Sequence, residues 1–419
     1  MTLRSIIAAI GLHALAAVAL PAQPTAEIIT QHTLTTNGEG LFPYYRIVGL
    51  ANLGNGTILA AFDGRPNNGD SPAPNSILQR RSEDGGETWG EVTYIARGQI
   101  GNSTVQQYGF SDPSYVFDEN TGNVFNFHVF SKNQGFAGSA LGTDDTNLSV
   151  MSAEVSISTD RGVTWSTDPA NQPLLPPIAS EEVGAPPLLT TAVKPVGSTV
   201  NGVANVGGVR GTFATSGEGI QLKYGTYAGR LVQQYIGNVI QADGSTSLQA
   251  YSVFSDNGGQ TWKMGQPQGT EMSENKVVEL SNGNLMLNSR PNSRGYRKVA
   301  ISTDGGETYS VPTIETQLPD PSNNGAITRM YPQAPEGSAS AKILLFTNSN
   351  HPQSRVNGTV RYSCDDGTTW SSGRVFEAGE TQYSTITALD DDMFGIFYEG
   401  PSNDLIFLKV SKDYIGVSC

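Results

Sequence analysis

Ser82-Glu-Asp-Gly-Gly-Glu-Thr-Trp89, Ser158-Thr-Asp-Arg-Gly-Val-Thr-Trp165, Ser255-Asp-Asn-Gly-Gly-Gln-Thr-Trp262, Ser302-Thr-Asp-Gly-Gly-Glu-Thr-Tyr309 and Ser363-Cys-Asp-Asp-Gly-Thr-Thr-Trp370 are five copies of one phrase. A single copy would be an ordinary hairpin turn. Repetition means that one supersecondary unit has been reused. The phrase reads as a hairpin cap. Its Asp accepts bonds from the Ser hydroxyl and from turn amides, its Gly supplies a positive φ, and its Trp or Tyr packs beneath the hairpin. The third copy has Asn257 at the Asp position, with Asp256 before it, and the Asn amide oxygen can accept the same bonds. Asp84, Asp160, Asp256, Asp304 and Asp365 are therefore read as structural.

The shortest start-to-start spacing, 47 residues from Ser255 to Ser302, fits one four-stranded blade of about 40–50 residues. Between the phrases lie runs such as Asn123-Val-Phe-Asn-Phe-His-Val-Phe130 and Lys342-Ile-Leu-Leu-Phe346, which read as strands. No long helical apolar period appears after residue 25. The expected fold is all-β, a β-propeller whose radial repetition leaves only short strand edges. A β-sandwich would not account for the repeated cap. Residues 23–419 form this propeller in the expected domain plan. Residues 167–211, rich in Pro, Val, Ala and Gly, are an inserted surface loop, with a lid or a dimer contact as alternatives.

The repeated cap follows an early Tyr45-Arg-Ile-Val48, and together they resemble the sialidases (neuraminidases) with Asp-box repeats, of the secreted bacterial type. The resemblance covers about residues 38–415 and implies the six-bladed propeller. It also implies an exo-α-sialidase, a retaining glycoside hydrolase acting without cofactor on terminal sialic acids of glycoproteins, glycolipids and oligosaccharides. Sialic acids carry a carboxylate on the anomeric carbon, and planar guanidinium forks hold such a group best. The motif matches for that clamp are Arg46, Arg290 in Leu287-Asn-Ser-Arg-Pro291, and Arg355 in Gln353-Ser-Arg-Val-Asn-Gly358. A carboxylate nucleophile would be repelled by the substrate's own charge, and sialidases use a Tyr nucleophile instead. The matching Tyr is Tyr383, in Gln382-Tyr-Ser-Thr-Ile-Thr387. Its base is Glu274, in Met272-Ser-Glu-Asn-Lys276. The general acid/base is Asp70, in the loop that follows Arg65-Pro-Asn-Asn-Gly, with Asp63 read as structural. Arg65 and Asp112 match positions around the sugar's 4-hydroxyl, Phe136 matches the wall facing the N-acetyl group, and Glu218 is expected to border the site. A transglycosylase would keep the same residues. A non-catalytic glycan-binding propeller would keep the boxes and lose the Tyr, Glu and Asp.

Arg4 followed by the apolar run Ile6–Leu20 makes residues 1–22 a secretory signal, cleaved after Ala19 or Ala22. The run is too short for a stable membrane span and is interrupted by His13, so a secreted protein is expected. Export makes a disulfide between Cys364 and Cys419 plausible. It would tie the terminal residue to the last box. The four His show no ligand spacing, so no metal is expected. A net charge of −14 argues against nucleic acid. It also means that an acidic sugar must be held by a few local Arg against the field of the whole molecule.

Overall fold

Six twisted sheets stand around one axis in a computed structural model of the chain, which describes residues 28–167 and 187–419. The expected signal at 1–22 lies outside the described residues, as does 168–186 of the expected insertion. Blade 1 contains Tyr44–Asn52, Ile58–Arg65, Ser76–Ser82 and Thr93–Ala96 from the axis outward, and blade 2 contains Gly109–Phe117, Val124–Ser131 and Ser152–Ser158. Blade 3 uses Leu231–Ile240, Thr246–Ser255 and Lys263–Met264, with Val209–Ala214 and Ile220–Gln221 sharing its inner edge. Between those two segments, Gly217–Glu218 swings across to pair in parallel with the inner strand of blade 2. Blade 4 runs Met272–Glu279, Leu285–Pro291, Gly295–Ser302 and Thr313–Asp320, and blade 5 runs Ala326–Arg329, Leu344–Ser349, Val356–Ser363 and Arg374–Glu380. Blade 6 holds Ser384–Ala388, Met393–Glu399 and Leu405–Ser411. Its outer edge is Ile28–Thr35, the first described strand, so backbone pairing between the two ends of the chain closes the ring.

Each blade packs face to face on its neighbours, so second strands are covered on both sides. Ile58–Arg65 and Val124–Ser131 are buried throughout, whereas the outermost strand of blade 5 is largely exposed.

The five phrases sit on the hairpins after the third strands of blades 1 to 5 and have the expected bonding. In the first, Ser82 donates to Asp84 at 2.8 Å, and Asp84 accepts from the Thr88 amide at 2.8 Å. In the third, Asn257 takes over both roles at 2.8 and 3.0 Å, and Asp256 instead pairs with Arg230. The second Gly of a box also abuts the preceding blade. A Cβ on Gly86 would lie 2.6 Å from the Phe407 ring of blade 6, and one on Gly259 would lie 2.1 Å from Phe125 of blade 2. The box rings follow, with Trp89 on Phe407 at 4.9 Å and Trp262 on Phe127 at 4.8 Å. The phrase thus cements neighbouring blades as well as capping a hairpin.

Within 167–211, the described part holds one helical turn, Thr190–Val193, and an exposed hairpin of Ser198–Val200 with Val203–Val206. Residues 209–211 already belong to the inner edge of blade 3.

Cys364 and Cys419 are bonded, with Cα atoms 5.6 Å apart and a sequence separation of 55. The bridge ties the box of blade 5 to the tail that follows blade 6. A loop of that length corresponds to about 4 kcal/mol of denatured-state entropy in the chain-entropy picture. Cys364→Ser/Cys419→Ser should unfold at a lower temperature than the parent in a calorimetric scan. An unchanged midpoint would mean that strand pairing alone closes the ring.

Candidate active site

Three inner strands are bulged where they reach one face of the ring. In blade 1, Arg46 pairs with Asp63 and Val48 with Phe62, which leaves Ile47 as an extra residue at φ 64. Positive φ is a true outlier for a β-branched residue. It is held here by an Ile47 amide that donates to Glu399 Oε1 at 2.6 Å. In blade 2, the shift between Ser111 and Ser114 contains Asp112, also at φ 64 although Pro follows it. In blade 4, the shift between Met272 and Asn275 contains Glu274. A bulge re-aims side chains, and these three turn Arg46, Asp112 and Glu274 toward one site.

At the centre is Tyr383, which immediately precedes the inner strand of blade 6 and is 6% exposed. Its hydroxyl lies 2.7 and 2.9 Å from the two carboxylate oxygens of Glu274, and Arg290 donates to the same hydroxyl at 3.1 Å. The guanidinium carbons of Arg46, Arg290 and Arg355 lie 5.4, 5.7 and 5.5 Å from the Tyr383 ring centre. Three motifs far apart in sequence therefore converge on one phenol. Burial raises the Tyr383 hydroxyl above its usual range, and Arg290, Arg355 and Arg46 oppose that rise. A base is needed to take its proton, and Glu274, 2% exposed and paired with Arg290 at 2.8 Å, is the group in contact.

Asp70 stands on an exposed loop with its side chain 77% accessible, and accepts a 2.6 Å bond from Arg65. Burial works against its charged form, but Arg65, then Arg46 and Arg355, more than offset this and hold its carboxyl below the usual range. Arg65 is itself buried and bonds twice to Asp63 Oδ2, at 2.9 and 3.1 Å. Asp63 accepts from the Asp112 amide at 3.1 Å, which fits the structural reading of Asp63. Burial raises the Asp112 carboxyl well above its ordinary value, and Asp63 and Glu274 add to this. Phe136 sits beside the Asp70 loop. Its ring packs edge-on to Phe213 at 5.2 Å, and its neighbour Gly135 lies so near the Asp70 loop that a Cβ would come within 2.2 Å of the Ser71 carbonyl.

Glu218 departs from expectation. It lies not beside Tyr383 but at the opposite mouth of the ring, in a cavity of about 510 Å³ lined also by Asn52, Glu279, Thr387 and Asp390. These residues come from the far ends of inner strands and the turns beyond them. Gly217–Glu218 crosses to blade 2, where it pairs in parallel with Ser114 and Tyr115, toward the far end of that inner strand.

The BNR repeat-like domain family matches residues 213–396. A sialidase of Micromonospora viridifaciens is 47% identical over 401 residues, which is 95% of this chain and 56% of that protein. Over nearly its whole length the chain is similar to this bacterial sialidase. It spans little more than half the length of that relative, and 63% of a Bacteroides fragilis sialidase that is 29% identical over 88% of the chain. Among solved structures, the Hadza microbial sialidase Hz136 superposes with a TM-score of 0.73 at 26% identity, covering 89% of this chain and 67% of that one. The intramolecular trans-sialidase of Ruminococcus gnavus shares the fold, with a TM-score of 0.68 at 18% identity over 90% of this chain and 96% of its own.

Three residues that build this sialidase-type site did not emerge from motif reading. Glu399 is fully buried and pairs with Arg46 at 3.1 Å. The Gln382 amide oxygen accepts from both Arg46 and Arg355, at 3.4 and 3.2 Å. The carbonyl of Ser322, at φ 64, accepts from both Arg290 and Arg355, at 3.2 and 2.9 Å. Glu399 left a trace, as the lone charge ending the apolar run Met393–Glu399. A backbone carbonyl such as that of Ser322 leaves none.

Glu218 supplies a test of the far mouth. Burial pushes its carboxyl from the usual 4.5 up to about 8. The folded form thus keeps a proton that the unfolded chain loses above about pH 4.5. Its contribution to stability falls as pH rises from there to about 8, then levels off. Glu218→Gln removes that dependence. The melting temperature of the variant minus that of the parent should therefore grow between pH 5 and 8 and stay flat above. A difference that does not change with pH would contradict this.

Proposed function

We propose that the chain is a retaining exo-α-sialidase that releases terminal α-linked sialic acids from glycans. The observation that carries this reading is the meeting of three guanidinium groups around a buried phenol already bonded to a carboxylate. Arg46, Arg290 and Arg355 bind the substrate carboxylate through charge-assisted bonds. Glu274 takes the Tyr383 proton as the phenol oxygen attacks the anomeric carbon and the glycosidic C–O bond breaks. Asp70 delivers a proton to the leaving oxygen. In the second half, Asp70 removes a proton from water, which displaces Tyr383 from the sugar. The incoming carboxylate also neutralises part of the charge that holds Asp70 ionised. Binding thus raises the acid's proton affinity when a proton is needed. Transfer to a sugar hydroxyl in place of water would use the same residues and would show as new glycosides among the products. We also infer export directed by residues 1–22, which amino-terminal sequencing of protein recovered from culture medium would check.

Incubation of the purified protein with an aryl α-sialoside, followed by proton NMR, tests the reading. Two successive inversions at the anomeric carbon release the α-anomer first, ahead of mutarotation. Initial β-anomer would rule out the Tyr383 intermediate, and no release at all would sink the assignment.

Asp70→Ala separates the acid role from the rest. Natural glycans, whose alcohols leave poorly without a proton, should lose roughly 10²–10⁴-fold in kcat/KM. A substrate with a nitrophenol leaving group should lose far less at its first step. Equal losses on both substrates would remove Asp70 from this role.

A further inference from the structure

The strand that presents Glu274 to Tyr383 also carries Lys276, two residues on and just past the bulge. Lys276 is 2% exposed, yet it forms no ion pair among the described residues. It lines the far cavity. Burial draws its ammonium down to about 7, with Glu274 opposing. The charged groups that act on it are Glu274 and Asp112, and, with like sign, Arg297 and Arg290.

Its contacts tie three inner segments together. Nζ donates to the Asn324 side-chain oxygen at 3.2 Å and makes longer contacts of 3.5 Å with the Thr215 hydroxyl and the Asn275 carbonyl. Asn324 donates to the hydroxyl and carbonyl of Ser216 at 2.8 and 3.1 Å. The carbonyl of Asn324 accepts, at 3.4 Å, from the amide of Ser384, the residue after Tyr383. Gly217 closes over the lysine tip: a Cβ there would stand 2.8 Å from Cε. The strand of Glu274 and the strand of Tyr383 belong to blades 4 and 6, which are not hydrogen-bonded neighbours. Asn324, at the entry to blade 5, lies between them and is held by Lys276.

We propose that Lys276 is a positioning residue that, through Asn324, fixes the separation of Glu274 and Tyr383. The inference rests on the sialidase reading. A lysine is suited to such a tether because one nitrogen can donate in three directions, whereas a buried apolar residue would leave the Asn324, Thr215 and Asn275 oxygens facing the lysine without this donor.

The test compares Lys276→Met, Asn324→Leu and the double variant with the parent. Each is assayed with an aryl α-sialoside on the acid side of the Lys276 transition, and its melting temperature is recorded. Slack of a fraction of an ångström between base and nucleophile should lower kcat by roughly ten- to a hundredfold. KM should stay within about threefold, because the three clamp arginines are untouched. If the two residues form one tether, the double variant should lose no more than the worse single variant. Lys276→Gln, which keeps a donor, should recover part of kcat. A purely structural role would lower the melting temperature without this split between kcat and KM. Folded Lys276→Met with kcat within about twofold of an active parent would overturn the inference, as would losses that multiply. If Lys276→Met does not fold, Asn324→Leu and Lys276→Gln decide by the same kcat criterion. An inactive parent sinks the sialidase reading as well.

Discussion

Three like charges gathered around one ring repel one another, and the arrangement of the rest of the site follows from that cost. Arg46, Arg290 and Arg355 all lie within 5.7 Å of the Tyr383 ring centre. The energy of bringing such groups together in a buried site is several kcal/mol per pair without compensation. Compensation is specific to each. Arg46 has Glu399, Arg290 has Glu274 and the Tyr383 hydroxyl, and Arg355 shares Gln382 with Arg46 and the Ser322 carbonyl with Arg290. Among the described residues, only Glu399 and Glu274 form ion pairs with these three groups. Arg355 bonds to neutral acceptors, so the guanidinium groups outnumber the carboxylates paired with them. An arriving carboxylate fills that deficit, so the same imbalance that strains the free site favours an anionic ligand.

Holding those groups in place requires backbone that an unstrained sheet would not adopt. Ile47, Asp112 and Ser322 all have φ of 64, and two of them sit in bulges. Each such residue costs on the order of 1–3 kcal/mol. The surrounding ring supplies the rigidity that keeps them there. Blades meet through fully buried middle strands, and box glycines and aromatics lock into the preceding blade. The boxes lie away from Tyr383, yet they bear on function because a ring that could spread would let the bulges relax.

The sequence carried the fold in full view. Repetition of the Ser-x-Asp-x-Gly-x-Thr-Trp phrase signals a repeated unit, and the cap's bonding is local enough to be inferred from the phrase. The site was legible wherever a family motif surrounds the residue, as for Arg290 in Leu-Asn-Ser-Arg-Pro or Tyr383 in Gln-Tyr-Ser-Thr. What stayed hidden was pairing across blades. Glu399 and Arg46 are at opposite ends of the described chain, and no local pattern links them. Glu218 was misread for a related reason. The phrase Ser-Gly-Glu-Gly-Ile-Gln gives a glycine-flanked carboxylate close in sequence to blade 3, but its short parallel pairing with blade 2 is a tertiary event that sends it to the other mouth. Ser322 and Lys276 act through a carbonyl and a buried ammonium, and neither residue type in a sequence announces such a use.

The overall charge of −14 opposes the anionic substrate proposed for the site. At physiological salt, exposed charges more than about 8 Å apart are largely screened, so the acidic surface contributes little at the clamp. The clamp itself is buried, where screening is weak and each guanidinium acts at close to full strength. The site's countercharges are equally enclosed, as Glu399 and Asp63 are wholly inaccessible. A ligand thus meets guanidinium groups and the accessible Asp70, not the carboxylates that hold the arginines. The acidic exterior then works against diffusion of an anion toward the site, but not against its affinity once there. Repulsion of that kind weakens as salt rises, whereas the buried clamp is little affected.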